Sequence, residues 1–497
     1  MNLSELLRAA PARKVAGSAE IEVAGMTHDS RELKPGYLFF ALQGSKTDGN
    51  RHIKDAAARG ASVIVSELEP PPAPLALTAT WVQVADITAA MGLMADFFYG
   101  HPSGAMTVIG VTGTNGKTTT TYFLESIISA CGGLPAVAGT INYRLGGRVL
   151  EDAVNTTPIS AHIQRLLARF RDENATHVAM EVSSHALALG RVDQVDFDAA
   201  IFTNLKRDHL DFHKTREEYF EAKARLFELL GKPSSTKKRP IAVLNADDPT
   251  CESLKRRCAF AQVATYGLGA ASHRAEDVEM SLGRTRFTIV YEGRRLPVEI
   301  NLVGEHNVYN ALGAASAALA LGMDAEGVRA GLKNLSCVPG RLEPVDAGQD
   351  FHVFVDYAHT DSALETVLAY LTKLPHRKLI TVVGCGGDRD RSKRGPMGSA
   401  ACRTSDQVII TSDNPRSEDP LSIISDIEEG LKTAGHKNYK IEADRSRAIG
   451  DAIAMAGAGD VVLIAGKGHE NYQILKDRTI HFDDRETALQ ALRSKTQ

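Results

Sequence analysis

Short apolar runs rich in valine and isoleucine alternate with longer amphipathic stretches along most of the chain. One series comprises MTVIGV at 106–111, HVAMEV at 177–182, AAIFTNL at 199–205 and IAVLNA at 241–246; a second comprises VFVDYAH from 353, LITVVGCGGD from 379, QVIITSDNP from 407 and VVLIAGKGHE from 461. Near-continuous apolar runs of this length predict strands buried on both faces, with the amphipathic segments as crossover helices of βαβ units. In nearly every run the apolar residues give way abruptly to Gly, Asp, Asn, His or Lys. Those polar residues then stand at the carboxyl ends of parallel strands, where open α/β sheets bind their ligands.

Proline and glycine interrupt the periodicity just before each strand series, near His101-Pro102-Ser103-Gly104 and near Val338-Pro339-Gly340, and domain boundaries are placed there. The expected fold is α/β with three domains: a small N-terminal α/β domain over 1–102, a central P-loop-type parallel-sheet domain over 103–337 and a C-terminal Rossmann-like domain over 338–497. A chain of 497 residues exceeds what one hydrophobic core usually supports, which agrees with that division. The Pro-rich segment Glu69 to Pro74 reads as a surface loop of the first domain.

Composition removes several function classes. Hydrophobic residues at 43% and charged residues at 24% describe an ordinary globular protein with ample core. A formal net charge of -4 supplies no basic field for a nucleic-acid polymer, so any anionic ligand must be held locally. The cysteines Cys131, Cys251, Cys258, Cys337, Cys385 and Cys402 show neither Cys-x-x-Cys pairs nor zinc-ligand spacing, which disfavours structural metal and disulfide scaffolds. Met1 to Lys14 lacks the apolar core of a signal peptide, and no run approaches the roughly 18 apolar residues of a membrane span. The chain therefore reads as cytoplasmic and off the membrane.

Val108 to Thr119, VIGVTGTNGKTT, reads as a strand, a glycine loop and a helix beginning near Lys117. A phosphate-binding loop needs this layout, because glycines let backbone N–H groups converge on phosphate oxygens while the helix N-terminus adds a favourable dipole. Gly113, Thr114, Asn115 and Gly116 form the loop. Lys117 would reach the terminal phosphates of ATP, Thr118 would ligate Mg²⁺, and Thr119 completes the nucleotide-binding set. Five residues before Gly116, where the strict pattern has glycine, stands Val111, so the loop is a variant.

The string Thr112 to Thr119 resembles the ATP loop of the Mur ligases and of folylpolyglutamate synthetase. Further segments matching the Mur ligases follow in that family's order from Thr27 to near Asp484. The resemblance implies that ATP phosphorylates a carboxylate and that an amine then displaces phosphate to leave an amide. It implies that Glu181, in HVAMEVSSH, and His209, in TNLKRDHLD, serve magnesium beside the γ-phosphate. Hard oxygen ligands suit that ion, and transfer between two anions needs cations. Lys223, in YFEAKARLF, is by pattern a helical lysine near Glu221, for which exposed salt bridging is the default. The resemblance implies a carbamylated lysine that acts as an anionic ligand of the metal.

Asn307 and Asn310, in GEHNVYNA, resemble the family's adenine-side segment; capping of the following helix by His306 or Asn307 explains the same string. Asp356 and His359, in DYAH, resemble the nucleotide contact of the family's third domain, which is expected to close over ATP and exclude water from the acyl phosphate. Arg341 either bridges domains there or is a surface charge. A nicotinamide site at Gly384 to Arg389 is rejected, since G-x-G-x-x-G requires glycine where Arg389 stands.

Ser30, in THDSR, resembles a hydrogen-bonding residue of the UDP-binding domain, which folylpolyglutamate synthetase lacks. Asn155, Thr156 and Thr157, with Pro158, match the subgroup that adds the third stem residue to UDP-N-acetylmuramoyl-alanyl-glutamate, and with Ser183 and Arg191 they would hold the glutamate carboxylates and muramoyl group. A helix N-cap at Thr157 is compatible with that role. Leu189 departs from the glutamine usual in the family and puts one substrate contact in doubt. Asp413, Asn414, Pro415 and Arg416 match the signature for meso-diaminopimelate: Arg416, assisted by Arg389, would bind the distal carboxylate, and Glu470, in the segment from Gly466, the distal ammonium. Lysine would leave that guanidinium unpaired. Other readings are a lysine-adding relative, opposed by Arg416, and a nucleotide-binding regulator, opposed by Glu181, His209, Lys223 and Glu470. The expected partners are UDP-MurNAc-dipeptide, meso-diaminopimelate and ATP, with Mg²⁺ as cofactor and the chain a monomer.

Overall fold

All eight apolar runs form strands, and each pairs in parallel with at least one neighbour. The computed structural model describes residues 1–44, 48–70, 79–231, 237, 239–281 and 283–495. Beyond Pro70 the expected Pro-rich loop lies outside the described residues. The chain packs as two compact units: Met1–Val278 with Phe287–Glu299 and Glu305–Asn334, and Leu335–Gln497 with Glu279–Arg286 and Ile300–Gly304.

The first unit contains two sheets. A five-stranded sheet runs in the order Lys14–Ala16, Thr80–Gln83, Val63–Ser66, Tyr37–Phe40, Gly25–Thr27, parallel except at its first pair. Alternation divides its apolar residues between two cores. Leu38, Phe40, Val63, Val65 and Val82 pack with helix Ile87–Phe98, whereas Phe39, Ile64 and Trp81 pack with helix Ile53–Ala58.

In the larger sheet Thr107–Thr112 is flanked by His177–Glu181 on one side and Ala199–Phe202 on the other. Glu181 pairs with Val111 and Phe202 with Thr112, so three parallel strands end level with one another. Pro135–Ala138 continues the sheet beyond His177–Glu181, and Ile241–Asn245 continues it beyond Ala199–Phe202. Helix Lys117–Ala130 leaves strand Thr107–Thr112 and packs against helices Glu305–Ala320 and Ala325–Asn334. Small residues make that approach possible: a Cβ on Gly331 would lie 2.3 Å from Ile127 Cα, and Ser126 Oγ donates to Gly331 O at 2.6 Å.

The second unit is built on a six-stranded sheet ordered Glu343–Pro344, His352–Asp356, Val461–Ala465, Leu379–Cys385, Gln407–Ser412, Tyr439–Ile441, parallel except for the first pair. Helices Asp361–Leu371, Arg394–Thr404 and Pro420–Thr433 cover one face, and Arg445–Met455 and Asp484–Lys495 the other. A fully buried ion pair secures the carboxyl ends of two strands. Arg445 donates from Nε and Nη2 to the two carboxylate oxygens of Asp484 at 2.7 and 2.6 Å, and both side chains are 0% exposed. The same guanidinium reaches Ser412 O at 3.3 Å and Ala465 O at 3.0 Å.

Removing one partner of such a pair leaves an uncompensated buried charge. Asp484→Ala is expected to lower unfolding free energy by about 3 to 5 kcal/mol in urea titrations, and the double replacement Arg445→Met, Asp484→Leu to recover most of that loss.

Candidate functional site

Two clusters of polar side chains stand at strand ends, one in each unit. In the first, Gly113 and Gly116 adopt φ of 144° and 92°, which turns the chain sharply between strand Thr107–Thr112 and helix Lys117–Ala130. Side chains would not fit here: a Cβ on Gly113 would lie 1.8 Å from Thr203 Oγ1, and one on Gly116 2.3 Å from Asn310 Oδ1. The loop is braced by the level neighbouring strand end. Thr203 Oγ1 donates to Asn115 O at 2.6 Å, Asn204 Nδ2 donates to the same oxygen at 3.1 Å, and Thr114 N donates to Asn204 O at 2.8 Å. Lys117 Nζ folds back on Gly113 O and Thr114 O at 2.8 and 2.9 Å, and Thr119 is buried in the first helical turn.

Glu181 is 1% exposed, and its carboxylate receives donors from two further segments. Thr118 Oγ1 donates to Oε2 at 3.0 Å, while Thr140 donates from N to Oε1 at 2.9 Å and from Oγ1 to Oε2 at 3.0 Å. Thr140 Oγ1 also lies 3.1 Å from Thr156 Oγ1. Thr140 was not singled out in the sequence, although Gly139-Thr140 follows the apolar strand Pro135–Ala138 and so meets the strand-end criterion.

Lys223 departs from the default for a helical lysine. It is 1% exposed, its Nζ donates to Gly113 O at 2.8 Å, and it lies 4.4 Å from the centre of the Tyr219 ring. Glu221 pairs instead with Arg257. Burial, reinforced by the charge of Lys117, drives the Lys223 ammonium well below the usual lysine range, with Asp208 opposing. Tyr219 OH is 3.1 Å from Thr114 Oγ1, which ties the lysine's platform to the loop. The His209 ring is 6.1 Å from that of Tyr219 and 4.9 Å from that of His185, and its backbone has φ of 53°. Among the described residues no three His, Cys, Asp or Glu side chains are grouped to hold a metal ion. Thr118, Glu181 and a lysine disposed to lose its proton stand beside the loop with oxygen and nitrogen atoms of the kind that hold a metal ion.

Thr157 does not cap a helix. The following helix, Ser160–Asp172, has Ile159 at its N-cap with no side-chain cap bond. The hydroxyl joins two segments instead: Thr157 Oγ1 donates to Glu181 O at 2.8 Å and accepts from Ser183 N at 3.0 Å. Ser183 caps helix Ser184–Ala188. Arg191 donates to Thr157 O at 2.9 Å without a carboxylate partner among the described residues, and burial lowers its pKa. Tyr143 OH fixes the adjacent Asn155 by donating to its carbonyl at 2.8 Å. Leu189 ends helix Ser184–Ala188 and is 43% exposed. Ser30 follows strand Gly25–Thr27, which packs against helix Ser160–Asp172.

The helix-capping reading of His306 and Asn307 fails, because the helix begins at Glu305 and both lie inside its first turn. Asn310 Nδ2 donates to Asn307 Oδ1 at 3.0 Å, and both are buried; Asn310 presses on Gly116 of the glycine loop.

In the second unit, loop Asp413–Arg416 follows strand Gln407–Ser412, and the Gly466–Glu470 segment follows strand Val461–Ala465. Asn414 Nδ2 donates to Glu470 Oε2 at 2.7 Å, and a Cβ on Gly466 would lie 2.7 Å from Asp413 Oδ2. Pro415 O closes on Gly387, leaving no room for a side chain there. Arg416 donates to Gly387 O at 2.8 Å, and Arg389 reaches only Asp388 O at 3.4 Å. Neither guanidinium forms an ion pair with a carboxylate among the described residues; Arg416 Nη1 would lie 2.8 Å from a Cβ on Gly386, whereas Arg389 approaches that position only through its Cγ. Burial raises the pKa of Glu470.

Asp356 is committed internally, accepting Leu342 N at 2.7 Å and Ala358 N at 2.8 Å. His359 Nδ1 lies 2.8 Å from Tyr357 O, and Arg341 sits 5.1 Å over the Tyr357 ring. His469, absent from the sequence-based set, is 4.9 Å from that ring; burial, then Arg341, lowers its pKa to about 4.

Family models described as Mur ligase family catalytic domain, Mur ligase middle domain and Mur ligase glutamate ligase domain match residues 22–99, 111–318 and 340–468. A relative from Solibacter usitatus (strain Ellin6076), named UDP-N-acetylmuramoyl-L-alanyl-D-glutamate--2,6-diaminopimelate ligase, is 47% identical over 99% of this chain and 98% of its own. One of the same name from Geobacillus thermodenitrificans (strain NG80-2) is 45% identical with 100% of both chains covered. A solved structure of a ligase of that name superposes with a TM-score of 0.70 at 32% identity, covering 100% of each chain. The MurF ligase from Thermotoga maritima, solved in complex with ADP, has a TM-score of 0.65 at 20% identity and covers 95% of this chain and 97% of its own. At that identity the likeness is one of fold.

Gly116→Ala tests the loop geometry. Strain of about 1 to 3 kcal/mol, added to the encounter with Asn310, is expected to weaken ATP binding roughly ten- to hundredfold by titration calorimetry. Unchanged affinity would contradict a phosphate-binding role for this turn.

Proposed function

The chain belongs to the Mur ligase family, and from that membership we propose that it joins meso-diaminopimelate to the D-glutamate of UDP-N-acetylmuramoyl-L-alanyl-D-glutamate. It is an ATP-dependent, amide-forming ligase of peptidoglycan precursor synthesis. One observation carries the choice of amino acid: Arg416, whose guanidinium forms no ion pair with a carboxylate among the described residues, stands in the loop whose Asn414 holds Glu470. The Arg416 guanidinium suits a distal carboxylate, with Arg389 to assist it, and the nearby Glu470 suits a distal ammonium. Lysine would satisfy only the second.

In this reading the Gly113–Gly116 loop holds the ATP phosphates, and Lys117, bonded to two loop carbonyls, turns to the terminal phosphate. Asn307 and Asn310 line the adenine side, and Asp356 and His359 belong to the nucleotide face of the second unit. Thr156, Thr157, Ser183 and Arg191 hold the precursor, with Asn155 fixed by Tyr143 and Ser30 on the UDP side. Arg191 meets the glutamate carboxylate as its missing counter-charge. The acceptor carboxylate takes the γ-phosphoryl group, and the amine then displaces phosphate. Thr118, Glu181, His209 and Lys223 would hold Mg²⁺, which neutralises charge on the phosphates. The donor chemistry fits, because a buried lysine disposed to lose its proton is the form that reacts with carbon dioxide to give a carbamate. The enzyme acts as a cytoplasmic monomer on soluble substrates. No helix among the described residues is long and apolar enough to cross a membrane.

Incubation with UDP-N-acetylmuramoyl-alanyl-glutamate, ATP and a panel of amino acids, with products identified by mass, is expected to yield the diaminopimelate adduct. Arg416→Lys should raise the KM for diaminopimelate far more than that for ATP; equal effects would refute the assignment of the distal carboxylate. Lys223→Ala is expected to abolish turnover, with acetate or formate restoring part of it. Near-normal activity of the unsupplemented variant would remove Lys223 from the mechanism.

A further inference from the structure

Lys467 is a buried cation at the loops of the second unit, with a side chain 0% exposed. Its ammonium donates to Tyr472 O and lies 3.4 Å from both Asn414 Oδ1 and Glu470 Oε2. Asn414 closes the ring by donating from Nδ2 to Glu470 Oε2 at 2.7 Å. The hairpin formed by Tyr472–Ile474 and Thr479–His481 straps this ring from outside. Ile474 N donates to Asn414 Oδ1 at 2.9 Å, Gln473 Nε2 to Asp413 O at 2.7 Å, and Arg416 N to Ile474 O at 3.0 Å.

From this arrangement we infer that Lys467 is a positioning residue that holds Glu470 anionic and aimed, and thereby sets recognition of the distal amine of the incoming amino acid. The inference rests on the proposed diaminopimelate reading and adds a residue to it. A half-buried carboxylate without a cation beside it takes a proton, and a protonated carboxyl no longer attracts an ammonium. Lys467 prevents this with a charge that solvent does not reach. Formal charges agree: Asp413 and Glu470 are two negative groups against Lys467 and Arg416, which balances a distal end carrying one ammonium and one carboxylate. Arg445 does not upset the sum, because Asp484 already neutralises it. The lysine is too deep to meet substrate itself, so it acts through Glu470 and Asn414.

Three amino acids separate this role from scaffolding. 2-Aminopimelate keeps the distal carboxylate and lacks the distal amine, lysine keeps the amine and lacks the carboxylate, and meso-diaminopimelate has both. In full-length Lys467→Met, the preference in kcat/KM for diaminopimelate over 2-aminopimelate is expected to fall about tenfold or more, while its preference over lysine and the KM for ATP stay within about twofold. Should the methionine variant fail to fold, Lys467→Gln, which keeps a donor for Asn414 without the charge, is expected to give the same result. An unchanged preference over 2-aminopimelate overturns the inference, as does a parallel loss of both preferences, which marks general damage to the loops. A wild-type chain that adds no diaminopimelate sinks the parent reading, and that is seen before any variant is compared.

Discussion

Three parallel strands of the larger sheet stop at the same level, and the chemistry proposed for the first unit depends on that register. Glu181 opposite Val111 and Phe202 opposite Thr112 bring a carboxylate, a glycine loop and the Thr203-Asn204 brace together without any one segment containing all three. A shift of one residue would turn Glu181 to the other face of its strand, because side chains alternate with period two. The loop would then lose the partner of Thr118, and Thr140 would have no carboxylate to hold.

Buried charge is managed differently in the two units. In the first, Lys223 is driven toward its neutral form by burial and by Lys117, which favours reaction over ion pairing. In the second, Arg445 is matched by Asp484, with the same guanidinium reaching the two strand-end carbonyls that precede the Asp413 and Gly466 loops. Lys467 lies between these cases, with one carboxylate at 3.4 Å and a stronger bond to a backbone carbonyl. All three side chains are buried, so whatever charge they carry is little screened by water. The guanidinium groups of Arg191, Arg389 and Arg416 are the complement, left without carboxylates among the described residues.

Much of the fold was legible before any coordinates. The eight apolar runs announced parallel strands because burial on both faces demands near-continuous apolar sequence, and the helix after the glycine loop begins at Lys117 as expected. Local rules did worse where a polar residue had two plausible partners. Thr157 before Pro158 looks like a helix cap, yet its hydroxyl bonds Glu181 O and Ser183 N. Asn307 looks like a cap as well and lies within the first turn. Lys223, by spacing a surface lysine, is buried over Tyr219.

By itself the sequence determined the order of strands and helices, the glycine turn between strand and helix, and the polar residues at strand ends, because hydrophobic periodicity and turn chemistry are properties of neighbouring residues. It also carried the family resemblance and with it the expected reaction. Tertiary structure alone decided which of those polar groups are buried, which are paired and which guanidinium groups stay without a carboxylate. Thr118, Thr140 and Glu181 are far apart in sequence, as are Asn414 and Lys467. Only the stacking of parallel strands in one register brings such groups within hydrogen-bonding distance and removes the water that would otherwise satisfy them.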